Sequence, residues 1–179
     1  MSVDRSRAAA DLRRAFDQSF VRPRGADKEE LTSLLAVRIG PDPYAVRLSD
    51  VASLHADRPV TALPTKASGM LGLAGFRGAL APVYDLRTLF GYPGGSTPRW
   101  LLVVSAPEPL GLAFDAFDAH VRLPAKDISS SDDGNASARY VRGLVHMTTG
   151  IRPLIHIASI VEAITSHVQP QTLQRSNGR

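Results

Sequence analysis

Two segments of this chain decide its fold: residues 72–86, which read GLAGFRGALAPVYDL, and residues 143–157, which read GLVHMTTGIRPLIHI. In both, eight residues separate a Gly-Leu pair from a proline that opens an apolar run. Both also follow a Leu-Pro pair, at residues 63–64 and 123–124. This common order predicts an internal duplication of one β-rich module. Two such copies would face each other along a shared seam, which suits binding better than catalysis.

The composition is that of a small globular protein. With 179 residues, of which 44% are hydrophobic, the chain forms one domain or two small ones that stay together. A single copy of about 65 residues would be marginally stable alone, so we expect the copies to stabilise each other. The absence of cysteine excludes disulfides, thiol catalysis and thiolate metal sites.

The charge is mild. The net charge is +4, from 21 basic and 17 acidic residues, and aromatic residues make up 6% of the chain. A nucleic-acid reader concentrates positive charge beside aromatic platforms, so no nucleic-acid partner is expected. No apolar run approaches the length of a membrane span and no signal-peptide core follows Met1. We therefore expect a cytoplasmic protein without direct membrane insertion.

Residues 1–30 predict a helical extension followed by a linker. Four apolar residues fall on one helical stripe, and Pro23 and Gly25 end the pattern. The stripe consists of Leu12, Ala15, Phe16 and Phe20. It either docks on the body or on a partner, or the segment is a solvated arm. At the other end, residues 168–179 form a polar tail.

Short apolar segments between Gly- and Pro-rich turns predict a mainly β domain over residues 31–167. We expect one module over about residues 34–92 and a second over about 99–157, in small barrels more than in a sandwich. A C-terminal helix is predicted from about residue 158 to 167.

Three local predictions fall between the strands. Ser49 and Asp50 are expected to cap a helical turn that carries Val51 and Leu54. Asp85 is expected to cap a brief helix that begins at Leu86. Residues 125–139 are polar and are expected to form a mobile loop.

The sequence offers little chemistry. The five histidines are scattered, without the spacing of a metal site, and the glycine-rich segments lack the Lys and Ser/Thr of a phosphate loop. We expect no cofactor, no metal and no catalytic residue. The rival hypothesis is a small β-barrel enzyme that uses His146 or His156, both in the second repeated segment.

Residues 72–87 resemble the signature Gly-hydrophobic-x-Asn-Leu-Arg-Gly-x-x-x-Pro-Val-x-Asp-Leu-Arg of the CheW-like chemotaxis adaptors. The resemblance covers about residues 34–164 in the family's order. Its further matching pieces are residues 44–48 with Val51, residues 61–64, residues 111–115, and residues 143–144 with residues 155–161.

This resemblance implies two intertwined five-stranded, SH3-like barrels with short helices. It also implies a noncatalytic scaffold that couples the cytoplasmic tip of a methyl-accepting chemoreceptor to the regulatory domain of a CheA-type histidine kinase. Such an adaptor acts in two-component signal transduction and is recruited to receptor arrays. The alternative is a diverged relative that binds only receptor or only kinase, in a dedicated pathway.

The resemblance also implies a receptor-binding site. The family's arginine falls on Arg77, flanked by Phe76 and Gly78, and Val51 takes the apolar position at the edge of the groove. Trp100 and Phe117 would line the seam from the second barrel. The residues themselves are consistent with this role, because a tight turn between two strands presents the guanidinium from a rigid base. Without the resemblance they favour a solvated turn arginine that makes one structural hydrogen bond.

Three positions depart from the family's pattern. Gly75 replaces the asparagine before the Leu-Arg-Gly triplet, Ser53 replaces an acid, and His120 falls where an aliphatic seam residue is usual. The loss of the asparagine would remove a side-chain hydrogen bond that braces the turn. Together with the N-terminal extension, these changes indicate a diverged adaptor.

Overall fold

The computed structural model describes residues 30–65, 67–93, 97–130 and 139–168. The predicted N-terminal helix and the polar tail lie outside these ranges. Over the described residues the chain forms β1 (Leu31–Ile39), β2 (Asp42–Arg47), β3 (Val51–Ala56), β4 (Met70–Phe76), β5 (Ala79–Asp85), α1 (Leu86–Leu89), β6 (Trp100–Val104), β7 (Gly111–Phe114), β8 (Ala116–Pro124), β9 (Ile128–Ser130), β10 (Val141–Met147), β11 (Gly150–Ile155) and α2 (Ile157–Val168). Short 3-10 turns cover Leu48–Asp50 and Ala125–Asp127.

The strands form two sheets that repeat one order. The six-stranded sheet runs β8-β1-β2-β11-β10-β9, and the five-stranded sheet runs β3-β6-β7-β5-β4. If β6, β7, β8, β10 and β11 are matched to β1, β2, β3, β4 and β5, the two orders coincide, and β9 is an additional edge strand of the six-stranded sheet. The parallel pairs β5–β7 and β11–β2 are then equivalent as well. The repeated spacing in the sequence therefore reflects a repeated structure.

The two copies exchange hairpins. The hairpin β1–β2 pairs with strands of the second copy, and the hairpin β6–β7 pairs with strands of the first copy. The predicted intertwining is thus present, but the sheets do not coincide with the contiguous halves 34–92 and 99–157. A contiguous half contributes only one hairpin to one of the sheets, and it lacks two inner strands of the other sheet.

Apolar side chains pack in three clusters. One cluster fills the interior of the barrel that each sheet forms, and the largest cluster lies in the seam between the two sheets. The seam cluster includes Val37, Val46, Leu102, Leu112, Ile155 and Ile160. The exchanged hairpins contribute to the seam with one face and to a sheet interior with the other, which is why all four residues of β7 are buried.

The turn of the first hairpin is held by the second copy. Asp115, between β7 and β8, accepts a hydrogen bond from the Gly40 backbone N–H at 2.6 Å and pairs with the Arg87 guanidinium at 2.9 Å. Beside this turn the Tyr92 hydroxyl bonds with Asp42 and lies 2.7 Å from the Tyr44 hydroxyl. Burial, followed by these hydrogen bonds, raises the pKa of Tyr92 far above its ordinary value.

A second polar link joins the copies in the six-stranded sheet. Arg152 on β11 is only 8% exposed; it donates to the Val37 carbonyl at 3.2 Å and pairs with Asp118 on β8 at 2.8 Å. Arg38 on β1 also pairs with Asp118, at 3.2 Å. Burial alone would raise the pKa of Asp118, but the hydrogen bonds from Arg152 and Arg38 outweigh it and lower the pKa below 3.8.

Several local predictions are decided by this arrangement. The predicted turn carrying Val51 and Leu54 is wrong: the 3-10 turn comes earlier, and both residues lie on β3, where pairing with β6 outweighs local capping. The cap of α1 is confirmed, because the Asp85 carboxylate accepts from the Arg87 backbone N–H at 2.9 Å. Within residues 125–139, Ile128–Ser130 forms β9 and pairs with β10, where a loop was expected.

The repeated Gly-Leu pairs have a common structural cause. Gly72 and Gly143 adopt φ of 145° and 158°, beside register shifts in β4 and β10. An added Cβ would lie 2.0 Å from the Thr61 carbonyl oxygen at Gly72, and 2.1 Å from the Ser129 carbonyl oxygen at Gly143. Close backbone approach therefore requires glycine in both copies.

Gly72→Ala is expected to lower the free energy of unfolding by about 3 kcal/mol, because the new methyl group meets backbone at a strained φ. Gly75→Ala is the matched control on the same strand, since its Cβ would have only the Arg58 guanidinium at 4.0 Å. Urea denaturation of both variants measures the difference. Equal losses in the two would contradict the steric explanation.

Asp118→Asn is expected to lower the free energy of unfolding by about 2 kcal/mol at neutral pH, since it leaves the buried Arg152 without its carboxylate. Because the folded-state pKa of Asp118 is depressed, its contribution is complete above the ordinary carboxyl pKa of 3.8 and is lost as pH falls through the folded-state value. Denaturation of wild type and variant at several pH values measures it. A difference that grows toward acid would refute the assignment.

Candidate protein-interaction site

Arg77 lies at the tip of the hairpin β4–β5. Phe76 pairs with Ala79, so Arg77 and Gly78 form a two-residue turn, with φ of 47° and 86°. Positive φ at both positions matches the turn type that follows the right-handed twist of a hairpin. Within the described part of the chain the exposed Arg77 side chain makes no hydrogen bond or ion pair. Its guanidinium donors are therefore available to a partner.

Phe76 supports this turn from inside the sheet. It is 7% exposed, packs in the interior cluster of the five-stranded sheet, and has its ring 5.3 Å from the His55 ring on β3. This contact joins the two edge strands β3 and β4. Phe76 was predicted as a contact residue, but its side chain faces inward, as the alternation of β4 requires.

Arg58 braces the same turn from outside. Its guanidinium donates to the Gly75 carbonyl and lies 5.7 Å from the centre of the Phe76 ring. A cation over an aromatic face is attracted by the ring's quadrupole. Arg58 thereby supplies a brace at the position where Gly75 lacks the family's asparagine side chain.

Trp100, Phe117 and Val51 lie along the seam. All three are partly buried against the seam cluster. The Trp100 ring stacks on the buried Phe114 ring at 6.5 Å and 22° and lies 5.3 Å from the Phe117 ring. The structure therefore brings together the aromatic pair that was placed at the seam from the sequence.

Val51 and Phe117 are equivalent positions in the two copies. Ala45 and Gly111 have matching partners in the parallel pairs β11–β2 and β5–β7, and Val51 and Phe117 each follow six residues later. Val51 is the first residue of β3, and Phe117 is the second residue of β8, so both lie where a strand leaves the seam. The duplication places one apolar side chain at either lip of the seam.

The predicted residues are distributed along β3. At its C-terminal end, His55 contacts Phe76 while Ala56 pairs with Trp100, so the Arg77 turn and Trp100 lie near this end. Val51 begins the strand and pairs with Val104. The Arg77 turn and Trp100 therefore lie near the C-terminal end of β3, and Val51 lies at its N-terminal end.

An apolar groove of about 680 Å³ opens beside Val51. We call it the α2 groove, because Ile157, Ala158 and Val161 of α2 form one wall. The opposite wall includes Asp50 and Val104, the chain neighbour and the strand partner of Val51. A helix packs into such a groove through an apolar stripe.

Leu80 was not predicted and has the most exposed large apolar side chain of the described residues, at 70%. It lies on β5 three residues after Arg77. Because Ala81 and Val83 face the sheet interior, the alternation of β5 turns Leu80 outward. The alternating pattern carried this signal, but the inward face is recognisable only once the sheet is known.

The remaining departures have local explanations. The Ser53 hydroxyl lies 2.9 Å from His55 Nε2 on the same strand. The placement of His120 in the seam is wrong, because His120 is exposed on β8. Its neighbour Val121 faces the interior cluster of the six-stranded sheet instead.

The described residues do not assemble an enzyme's constellation at the two candidate histidines. His146 pairs with Ile151, while His156 lies five residues further along, so about 16 Å of strand separates them. His156 Nδ1 is 2.8 Å from the Ser159 hydroxyl at the start of α2. No group of three metal-ligating side chains occurs within the described ranges. In those ranges, too, the helices are too short or too polar to cross a bilayer.

A rigidly presented arginine, an apolar groove and aromatic residues along a seam between two intertwined barrels define a protein-interaction module. The CheW-like domain model matches residues 33–165, and the chain belongs to this family.

Named relatives agree with this assignment. The chain is 27% identical over 136 residues to a probable chemotaxis protein CheW of Rhizobium etli, covering 71% of this chain and 85% of that protein. It is 24% identical over 132 residues to the chemotaxis protein CheW of Rhizobium meliloti, with the same coverage of both chains. The crystal structure of the scaffolding protein TtCheW from Thermoanaerobacter tengcongensis superposes with a TM-score of 0.63 at 20% identity, covering 70% of this chain and 88% of that one. The SH3-like, mainly β fold is thereby confirmed.

Proposed function

We propose that this chain is a noncatalytic adaptor that links the cytoplasmic tips of chemoreceptors to a CheA-type histidine kinase in chemotaxis-like signal transduction. Its family and the chemotaxis proteins that it resembles support this function. It acts in the cytoplasm, at receptor arrays. Its surfaces hold partners together, and the chemistry belongs to the kinase.

The exposed Arg77 turn is the observation that carries the receptor half of this proposal. The turn needs positive φ at two positions, yet one of them is an arginine rather than a second glycine. A side chain kept at a sterically unfavourable position without an internal partner is explained by an external one. A forked guanidinium suits carbonyl or carboxylate groups on a receptor's helical tip.

The apolar half of the contact is supplied by Val51 and by the α2 groove beside it. Val51 is partly buried against the seam cluster and so presents an apolar edge on a rigid strand. Trp100 and Phe117 extend the same seam, and a helical tip that lies along it would cover all three side chains. Aromatic anchors and an arginine are the residue types that dominate binding energy at such interfaces.

A second candidate function, binding of receptor or kinase but not both, is favoured by one observation. Ser53 stands where the family has an acid, and its hydroxyl is committed to His55 on the same strand. The loss of a carboxylate beside Val51 removes one ion-pairing group from this surface. A partner that depends on that carboxylate would be lost while the other is kept.

Arg77→Glu is expected to weaken binding of a soluble receptor-tip fragment about thirtyfold, the effect of losing one hot-spot side chain. The melting temperature should change little, because the guanidinium has no internal partner. Isothermal titration calorimetry measures the affinity. Arg122→Glu is the matched control, an exposed arginine on β8 with the same charge change. Normal binding by the Arg77 variant would show that this turn is not at the contact.

Gel filtration of the chain with a receptor-tip fragment and a kinase regulatory domain is expected to give one ternary complex, because an adaptor must hold both at once. Mixtures with each partner alone provide the reference positions. Co-elution with only one partner would establish the alternative function. Co-elution with neither would contradict both.

A further inference from the structure

A cleft of about 540 Å³ lies at the start of α2, away from the Arg77 turn. Its floor is formed by the buried residues Leu154 and Ile155. Its polar lining consists of Arg47, Asp50, Ser130, Arg142 and His156. We call it the cationic cleft, because Arg47 makes no ion pair within the described residues and Asp50 is the one acid among the residues that line it.

The pairing of the strands explains why these side chains converge. In the parallel pair β11–β2, Leu154 pairs with Ala45 and Ile155 with Val46, so Arg47 and His156 occupy the next position on neighbouring strands. Arg142 comes from β10 on the other side of β11. Within the described residues Arg47 makes no ion pair, and Asp50 accepts from the Ser49 hydroxyl at 3.0 Å.

The first copy shows which group occupies the equivalent position when it is filled from within the chain. In the pair β5–β7, Asp85 pairs with Ala113, so Asp85 corresponds to His156 and Ala113 to Arg47. The Asp85 carboxylate sits over the start of α1, where it accepts from the Arg87 backbone N–H at 2.9 Å and from the Thr88 hydroxyl at 3.1 Å. The first copy therefore has a built-in carboxylate.

At the equivalent positions the second copy has side chains that donate hydrogen bonds, whereas the first copy has the Asp85 carboxylate, which accepts them. His156 replaces the carboxylate, Arg47 replaces a methyl group, and the first turn of α2 contains no acid. Backbone N–H groups at a helix start favour negative charge, and a nearby guanidinium binds carboxylates through paired hydrogen bonds. Of the described residues, only Asp50 brings an acidic group to the cleft, and its carboxylate already accepts from a neighbour.

We propose that the cationic cleft binds a carboxylate carried by an acidic segment of a partner protein. The ligand is a carboxylate on a polypeptide because its internal counterpart, Asp85, is one. Arg47 supplies the guanidinium, and the Ser130 hydroxyl and His156 Nε2 supply further donors, since His156 Nδ1 already lies 2.8 Å from the Ser159 hydroxyl. This surface is separate from the Arg77 turn, and it adjoins the α2 groove, with which it shares Asp50 and His156. The Arg47 guanidinium lines the cationic cleft and not the α2 groove, so the Arg47 variant distinguishes this site from the receptor contact proposed above.

The test is a titration of the full-length, 15N-labelled chain with the capped peptide Gly-Glu-Asp-Glu-Gly, followed by backbone amide shifts. Shifts are expected at His156, Ile157 and Ala158, and the amide-matched peptide Gly-Gln-Asn-Gln-Gly should produce none. Arg47→Ala is expected to weaken peptide binding about tenfold, the effect of one charge-assisted hydrogen bond. His156→Asp, which installs the first copy's residue, should abolish it while leaving the melting temperature unchanged or higher.

Arg99→Ala is the control for net charge. Arg99 lines the corresponding cleft of the first copy, where it pairs with Asp57 at 3.1 Å, and its loss should leave peptide binding unchanged. Equal weakening by the Arg47 and Arg99 variants would reduce the effect to bulk charge and overturn the site. Shifts that spare the start of α2, or equal binding of the amide-matched peptide, would overturn it too.

Discussion

The structure depends on burial of the seam between the two sheets. Each exchanged hairpin places one face in the seam and the other in a sheet interior, so the hairpin strands contribute apolar area to two clusters at once. Burial of apolar area is the main favourable term in folding. Removal of one copy would uncover the seam and open both sheets together. The chain therefore gains its stability from a single cooperative unit that includes both copies.

Polar contacts fix the alignment of the two copies against each other. Asp115 and Asp118 flank the start of β8, and each holds groups from elsewhere in the fold: Asp115 takes the Gly40 N–H and Arg87, and Asp118 takes Arg38 and Arg152. Partly buried ion pairs contribute little net stability because desolvation opposes the attraction. Their directionality, however, allows only one alignment of the hairpin β1–β2 against the second copy.

The sequence predicted much of this structure, for identifiable reasons. Repeated spacing revealed the duplication, because the same close backbone contact demands glycine at 72 and 143. Local signals also located the hairpins, the cap at Asp85 and the C-terminal helix. The exchange of hairpins leaves no local trace, because pairing β2 with β11 joins residues more than 100 positions apart, and only the family resemblance predicted the intertwining. The strand at Val51 was missed because its pairing with β6 is not local. Phe76 and His120 were misjudged because a period-2 pattern shows that faces alternate, but not which face is buried.

The exchange of hairpins has an evolutionary consequence. A one-copy ancestor with this strand order could complete its sheet by swapping hairpins with a second molecule, as a two-fold symmetric dimer. Joining two copies of the gene would turn that dimer into one polypeptide, in which the two faces no longer need to have the same sequence. The tips of the β4–β5 and β10–β11 hairpins would then be free to differ. In this chain the first tip carries Arg77 and Gly78, and the second carries Thr148 and Thr149. Asymmetry of this kind lets one small protein offer different binding surfaces on its two sides.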